Sequence, residues 1–489
     1  MDVLSPLMKG LRGALRMGGL RYSESKFPKA LQHEPFDYVP RALSDRFTVG
    51  FAKACIVPLD FAKKTYYIAG YSENNPAQGI LDAPHVHAVW MDDNSGHGGV
   101  LLISVDAVGI LRYDIERARQ RLKHFMLRSG CRSVQIMCTH NHAGIDTMGI
   151  WGPLPLTGRK PAYMDYIIER MAECAEKAYA NRQKGILYKG TIEVEGMQED
   201  IRLPIVYSKT LTRLRFVPDN GAKETWLLNF ASHSESLQGC NSRVSADFPC
   251  YLREKIKEET GADVFYCVGA IGGMISMEIP NEREIRDNGG DFAESTRDIG
   301  RRLADFALNI KEETVLKPRI SVMRRECYFP ADNTVLMAAS KAGIIKVHEY
   351  HLPTAPLRHA LKSEVNYMEI DTLKILFIPC ELFPELAYGG YLEADESGTG
   401  LPPSANPQPL AEILGGDVVF VGLSNDELGY VIPPNDYLLD DKTPYAEIPR
   451  DAHGRRHYEE TNSLGPETAV VLAEATREIA EAVAKAKGI

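Results

Sequence analysis

Residues 133–146 read SVQIMCTHNHAGID, an apolar run that closes on two histidines one residue apart. Val134, Ile136 and Cys138 alternate with Gln135, Met137 and Thr139, and Gly144 breaks the run. That pattern predicts a buried strand with its reactive residues at the exit. Side chains at i and i+2 of a strand leave the same face, so His140 and His142 are expected to share one space. Such a pair suits a metal ligand beside a proton carrier. A His-x-His pair in a chain with 13 histidines can equally be two polar residues at a strand end, so the other segments have to decide.

Working outward, Val100–Val105 (VLLISV) reads as a buried strand ending at Asp106, and Tyr113–Ser129 as a charged helix leading into the His-x-His strand. Strand, helix, strand implies an α/β layer arrangement. Tyr163–Ala180 reads as a second helix, and Ile186–Val194 alternates like a strand with one wet face. Trp226–Ala231 (WLLNFA) is a further buried strand, and it ends in Ser232-His233-Ser234-Glu235. A helix over Ser245–Glu259, a strand over Asp263–Val268, the flexible loop from Gly269 to Ser276 and a helix over Asp298–Glu313 follow. The signals in Lys317–Leu361 are mixed and place no element. Leu373–Ile378 is a strand ending in Pro379-Cys380-Glu381, Val418–Val421 is one ending in Gly422-Leu-Ser-Asn425, and Gly465–Lys487 is a closing helix. No internal repeat and no low-complexity linker is visible. The expected architecture is α/β, with mixed β-sheets flanked by helices in one large catalytic domain over residues 46–489, after an N-terminal extension over residues 1–45.

The apolar fraction of 44% and the charged fraction of 25% describe an ordinary globular chain. A formal charge of −10 without a basic block argues against a nucleic-acid partner. The nine cysteines are odd in number, scattered and without a Cys-x-x-Cys pair, which favours a reducing compartment. No apolar run is long enough for a membrane span. The N-terminal segment lacks the apolar core of a signal peptide, so a cytoplasmic location is expected. Leu4, Leu7, Leu11 and Leu15 fall at helical spacing beside Lys9, Arg12 and Arg16. This weakly basic amphipathic helix could touch an anionic membrane surface. Gly10, Gly13, Gly18 and Gly19 fit a partner-docking or frayed end instead.

Four separate strands thus end near a ligand or acid–base group: His140 with His142, His233, Glu381, and Tyr430. Two histidines, a carboxylate and an open position describe a catalytic zinc site. Each residue also has a plainer reading. His233 could be a satisfied histidine at a strand end, Glu381 a helix cap, Tyr430 packing, Ser276 a turn residue and Arg202 a surface charge.

Several segments taken together resemble the catalytic domain of the neutral ceramidase family, zinc amidohydrolases that split the amide of N-acylsphingosine. The family's Thr-His-x-His-(Ser/Ala)-Gly strand end resembles Thr139–Gly144, its histidine–serine segment His233–Ser236, and its Ser-x-Asp-x-x-x-Tyr Ser245–Tyr251. Its Gly-Asp-Val-Ser loop is similar to Gly273–Ser276, its Pro-Gly-Glu turn to Pro379–Glu381, and its Gly-Leu-x-Asn-x-x-x-x-Tyr-Val signature to Gly422–Val431. Ala69-Gly70-Tyr71, Tyr458-Glu459 and Leu464-Gly465-Pro466 extend the likeness in the same order. The resemblance implies that His140, His233, Glu381 and Tyr430 bind Zn2+, with His142 and Ser276 working beside the metal. It also implies that Arg202 contacts substrate and that Tyr437 is a second active-site tyrosine.

The departures lie around the substrate pocket. The family's Asp-Ile-Thr-Pro is Cys55-Ile56-Val57-Pro58 here, and Met274 and Met277 stand where the family has an acid and a proline. The expected function is zinc-dependent hydrolysis of the amide in an N-acylated lipid, ceramide-like, or in a related small N-acyl compound. The alternative is a non-catalytic zinc-containing lipid-binding or structural module of the same fold. A metal-free serine hydrolase is a third option, although the Gly-x-Ser-x-Gly elbow is absent.

Overall fold

The computed structural model describes residues 4–17, 20, 22–24 and 27–489; Gly18 and Gly19 lie outside the described residues. Its frame is a nine-stranded mixed sheet. From one edge the strands run Asp263–Val268, Thr225–Phe230, Thr210–Pro218, Gln183–Glu193, Phe47–Cys55, His85–Asp92, Val100–Val105 and Ser133–Cys138, with Thr314–Leu316 added to Gln183–Glu193. The pairs at both edges are parallel, and each is joined by a helix, Arg112–Ser129 on one side and Phe248–Thr260 on the other. The expected α/β architecture with mixed sheets is therefore the observed one.

The same order of elements occurs twice. Leaving aside two-residue strands and the short helices Phe61–Lys63 and Glu282–Asp287, three strands, a helix, a strand and a helix run from Phe47–Cys55 to Pro161–Ala180, and again from Gln183–Glu193 to Ala293–Leu308. No sequence repeat signals this.

A second sheet of Ile320–Ala331, His359–Ile370, Leu373–Phe377 and Val418–Val421, with Glu349–His351 at its side, faces the first. Phe47, Val49, Met91 and Phe216 of the large sheet meet Ile320, Val322, Met368 and Ile375 of the small one in a buried cluster. The closing helix, Glu467–Lys487, packs Leu472, Ala475 and Ile479 into the cluster that includes Val365 and Tyr367.

Two sequence expectations change here. The helix expected over Asp298–Glu313 is Ala293–Leu308, and Ile310 is buried from the loop that follows. The unplaced stretch Lys317–Leu361 holds the Ile320–Ala331 strand, the helix Thr334–Lys341 capped by the Asn333 side chain, and the start of His359–Ile370. Its strands escaped a hydropathy reading because they carry Glu326 and Glu364, buried charges that Arg112 and Arg119 neutralise.

The N-terminal helix, Leu4–Arg16, buries Met8 and Leu15 against the chain, and Arg12 donates to Asp332 O at 3.1 Å. Leu7 remains 64% exposed. Among the described residues, no helix is long and apolar enough to cross a membrane.

Candidate metal centre

The Ser133–Cys138 strand stops before the histidines, and His140 adopts a left-handed φ of +52°. The two imidazoles therefore reach one space through a turn, and not through the strand alternation expected from the sequence. Asn141 holds that turn. Its side-chain oxygen accepts from Ala143 N at 3.0 Å, while its amide donates to Ser245 O at 2.7 Å and Asp106 O at 3.3 Å. His233, beyond the end of Thr225–Phe230, completes the group. Ring centroids lie 4.6 Å apart for His140 and His142, 4.6 Å for His140 and His233, and 5.6 Å for His142 and His233.

His140 and His233 are each tied at Nδ1 to a backbone carbonyl, Val108 O and Ile275 O, both at 2.8 Å. Nδ1–H is thereby committed, and Nε2 of each ring is turned inward. Both Nε2 atoms face one oxygen, Glu381 Oε2, at 3.2 Å and 3.0 Å. Two lone pairs and a carboxylate oxygen cannot share a dry pocket without a cation among them, either a proton or a metal. Without a metal the group settles as an ion pair. Burial alone would lower the His233 pKa, but the hydrogen bond to Glu381 and the charges of Glu235 and Glu381 raise it to about 9. Burial alone would raise Glu381, but His140 and His233 hold it well below the usual carboxylate range. The donor set fits a metal such as zinc. His140, His142 and His233 alone also offer nitrogens within 4.8 Å of one another, so a ligand set that includes His142 is open to the same ion.

His142 is surrounded differently. Burial pushes its imidazole down to about 3, with Glu235 opposing and the other two histidines adding to the fall. Its Nδ1 lies 3.3 Å from Glu235 Oε2. The same carboxylate accepts from Ser276 Oγ and, at 2.9 Å, from Tyr71 OH. Glu235 thus joins the loop serine to the second histidine, and sequence reasoning had quoted it without giving it a role.

Glu381 and Tyr430 are paired in register in a short parallel bridge, which sets their side chains together. The Tyr430 hydroxyl donates to Met274 Sδ at 3.2 Å. Glu427 was missed as well. It is buried, Oε2 has no partner, and burial together with the charge of Glu381 raises its pKa well above the ordinary value. A pocket with about 100 Å3 of solvent-accessible space opens on these residues. Its lining joins His140, His142, Glu381, Glu427 and Tyr430 to an apolar side made by Trp151, Leu336, Met337, Ile345, Leu361 and Leu464.

Arg202 is buried among Asp436, Glu459 and Glu460, with ion-pair distances of 2.9, 2.8 and 2.9 Å. Three carboxylates occupy its guanidinium, which leaves the expected substrate-contacting arginine without a free donor. Tyr437 meets Ser463 Oγ and, at 3.4 Å, Tyr445 OH.

Comparison with solved structures finds the same architecture elsewhere. Neutral ceramidase from Pseudomonas aeruginosa superposes with a TM-score of 0.66 at 17% identity, over 91% of this chain and 75% of that one. The chain has the neutral ceramidase fold. A structure described as ceramidase complexed with C2 agrees, with a TM-score of 0.64, 16% identity, and 91% and 76% of the two chains covered. No family model and no curated protein sequence matches the chain. The likeness to the ceramidase fold is therefore one of structure, and within that fold the histidine cluster sits where loops from both halves of the large sheet converge.

Proposed function

We propose that the chain is a zinc-dependent amidohydrolase that cleaves an N-acylated lipid of the ceramide type, or a related N-acyl compound. The observation that carries this reading is the convergence of His140 Nε2 and His233 Nε2 on one oxygen of Glu381, at the head of a largely apolar pocket. The shared fold with solved ceramidases supports the substrate class.

In this reading His140, His233, Glu381 and Tyr430 hold the ion. When bound, zinc supplies Lewis acidity, bringing a water to a pKa of about 7 and polarising the amide carbonyl. The remaining work belongs to the chain. His142, neutral and with its Nδ1 3.3 Å from Glu235 Oε2, presents Nε2 as the group that takes a proton from the attacking water and returns it to the leaving amine. Glu235 fixes that tautomer and orients Ser276 Oγ. Glu427, whose pKa is raised by burial and by Glu381, faces the same pocket. The apolar side excludes water and receives an acyl chain. The reading includes a cytoplasmic location, supported by nine cysteines that are all free thiols.

The test is fatty-acid release from a panel of N-acyl amides, N-acylsphingosine among them, before chelation, after it, and after zinc is restored. Turnover that disappears and returns is expected. Turnover that survives exhaustive chelation, or no turnover of any amide by zinc-replete protein, contradicts the proposal.

A further inference from the structure

We infer that the molecule carries a second site, a pocket for a phosphate-type oxyanion, between the strands Phe47–Cys55 and His85–Asp92 and the helix Phe248–Thr260. The pocket has about 310 Å3 of solvent-accessible space and lies outside the residues of the metal centre. Lys53, Arg253 and Lys257 line it, together with His85 and His87. Antiparallel register sets Lys53 directly opposite His87, so both point to the same side of the sheet.

The polar groups of this pocket are unevenly satisfied. Neither Lys53 nor Lys257 has an ion-pair partner among the described residues. His87 is only 1% exposed, and its Nδ1 has no hydrogen-bond partner. Arg253 is held by Asp106 at 2.9 and 2.8 Å through its two terminal nitrogens, and its Nε is likewise without a partner. A buried donor left unmatched is costly, and such atoms grouped in one pocket mark a place for an acceptor.

Three carboxylates also line the pocket, Asp82, Glu254 and Asp263, and none of them forms an ion pair with the lysines among the described residues. Asp82 is engaged by Ser245 Oγ, by Ala246 N at 2.7 Å and by Tyr251 OH at 3.1 Å. Glu254 is exposed and meets Cys250 Sγ at 3.7 Å. The Lys53 ammonium is held below its ordinary pKa by burial first, and then by the charges of Lys257 and Arg253. An anion at this point relieves that mutual repulsion. Cationic donors arriving from a strand and a helix suit a tetrahedral oxyanion, which accepts from several directions at once.

Two residues that hold the lining of this pocket also hold the turn of the metal centre. Asp106 and Ser245, the partners of Arg253 and Asp82, are also the two residues whose backbone oxygens receive the Asn141 amide, and Asn141 shapes the His140 to His142 turn.

Calorimetric titration of the full chain with sodium phosphate and with glycerol phosphate, against sodium chloride of matched ionic strength, tests the proposal. Saturable binding at one site per chain is expected for phosphate. Binding of phosphate alone identifies free phosphate as the ligand, and binding of both identifies a phosphate monoester as a ligand too. The K53M/K257M double variant is expected to bind at least tenfold more weakly, with circular dichroism and Tm in chloride unchanged. Should that variant fail to fold, K257Q alone, at an exposed position, is expected to weaken binding several-fold. No saturable binding of either anion beyond chloride, or undiminished binding by a folded variant, overturns the proposal.

Discussion

Gly70 lies flat against the imidazole of His142. A Cβ built on residue 70 would sit 2.4 Å from His142 Cγ, and the φ of +106° is itself one that side chains resist. Gly70→Ala is therefore expected to displace the ring without touching His140, His233 or Glu381. Metal content should stay at the wild-type level while kcat falls by about a hundredfold, the cost of misplacing a catalytic group by about 1 Å. Metal analysis and steady-state kinetics on one preparation check this.

Glu235 joins three side chains, Ser276, Tyr71 and His142. Glu235→Gln keeps the shape and removes the charge. We expect kcat to fall by about a hundredfold, within the usual range for general acid–base catalysis. Bound metal and KM should be little changed. A shift in the pH profile of kcat would separate loss of tautomer control from simple loosening of the fold.

His142 decides between two ligand sets. If it carries protons, His142→Ala retains the metal and loses turnover; loss of the metal would instead place His142 among the ligands. Elemental analysis after dialysis reads the difference directly.

Glu364 offers a test remote from the site. Burial alone would raise its pKa, but Arg112 and Arg119 hold it well below the ordinary value. A carboxyl depressed in the folded state contributes stability that is complete above its unfolded pKa of about 4.5 and is lost as pH falls through the folded value. Glu364→Gln, which breaks a buried pair, is expected to cost about 3–5 kcal/mol at pH 7. The gap should narrow below about pH 4.5. Denaturant unfolding across pH measures it.

The parts of this molecule that a sequence reading recovers are those where burial is uniform. VLLISV, SVQIMC and WLLNFA are central or parallel strands buried on both faces, so they appear as largely apolar runs, and the candidate ligands beyond their exits could be proposed by position. Ile320–Ala331 was not legible, because its buried charges look like solvent-facing ones until Arg112 is brought beside them. Glu235 sat inside a recognised segment, yet its role depends on Tyr71, 164 residues away, and Ser276, 41 residues away. Arg202 differs in the opposite sense. A lone arginine in a polar loop reads as an available cation, and only the folded chain reveals the three carboxylates that surround it.

The most direct measurement is the zinc content, by elemental mass spectrometry, of wild-type protein, His140→Ala and His233→Ala purified side by side. About one zinc per wild-type chain is predicted, falling to near zero in both variants while their circular dichroism spectra remain native. Full zinc occupancy in both folded variants would contradict a centre built on these two imidazoles and Glu381.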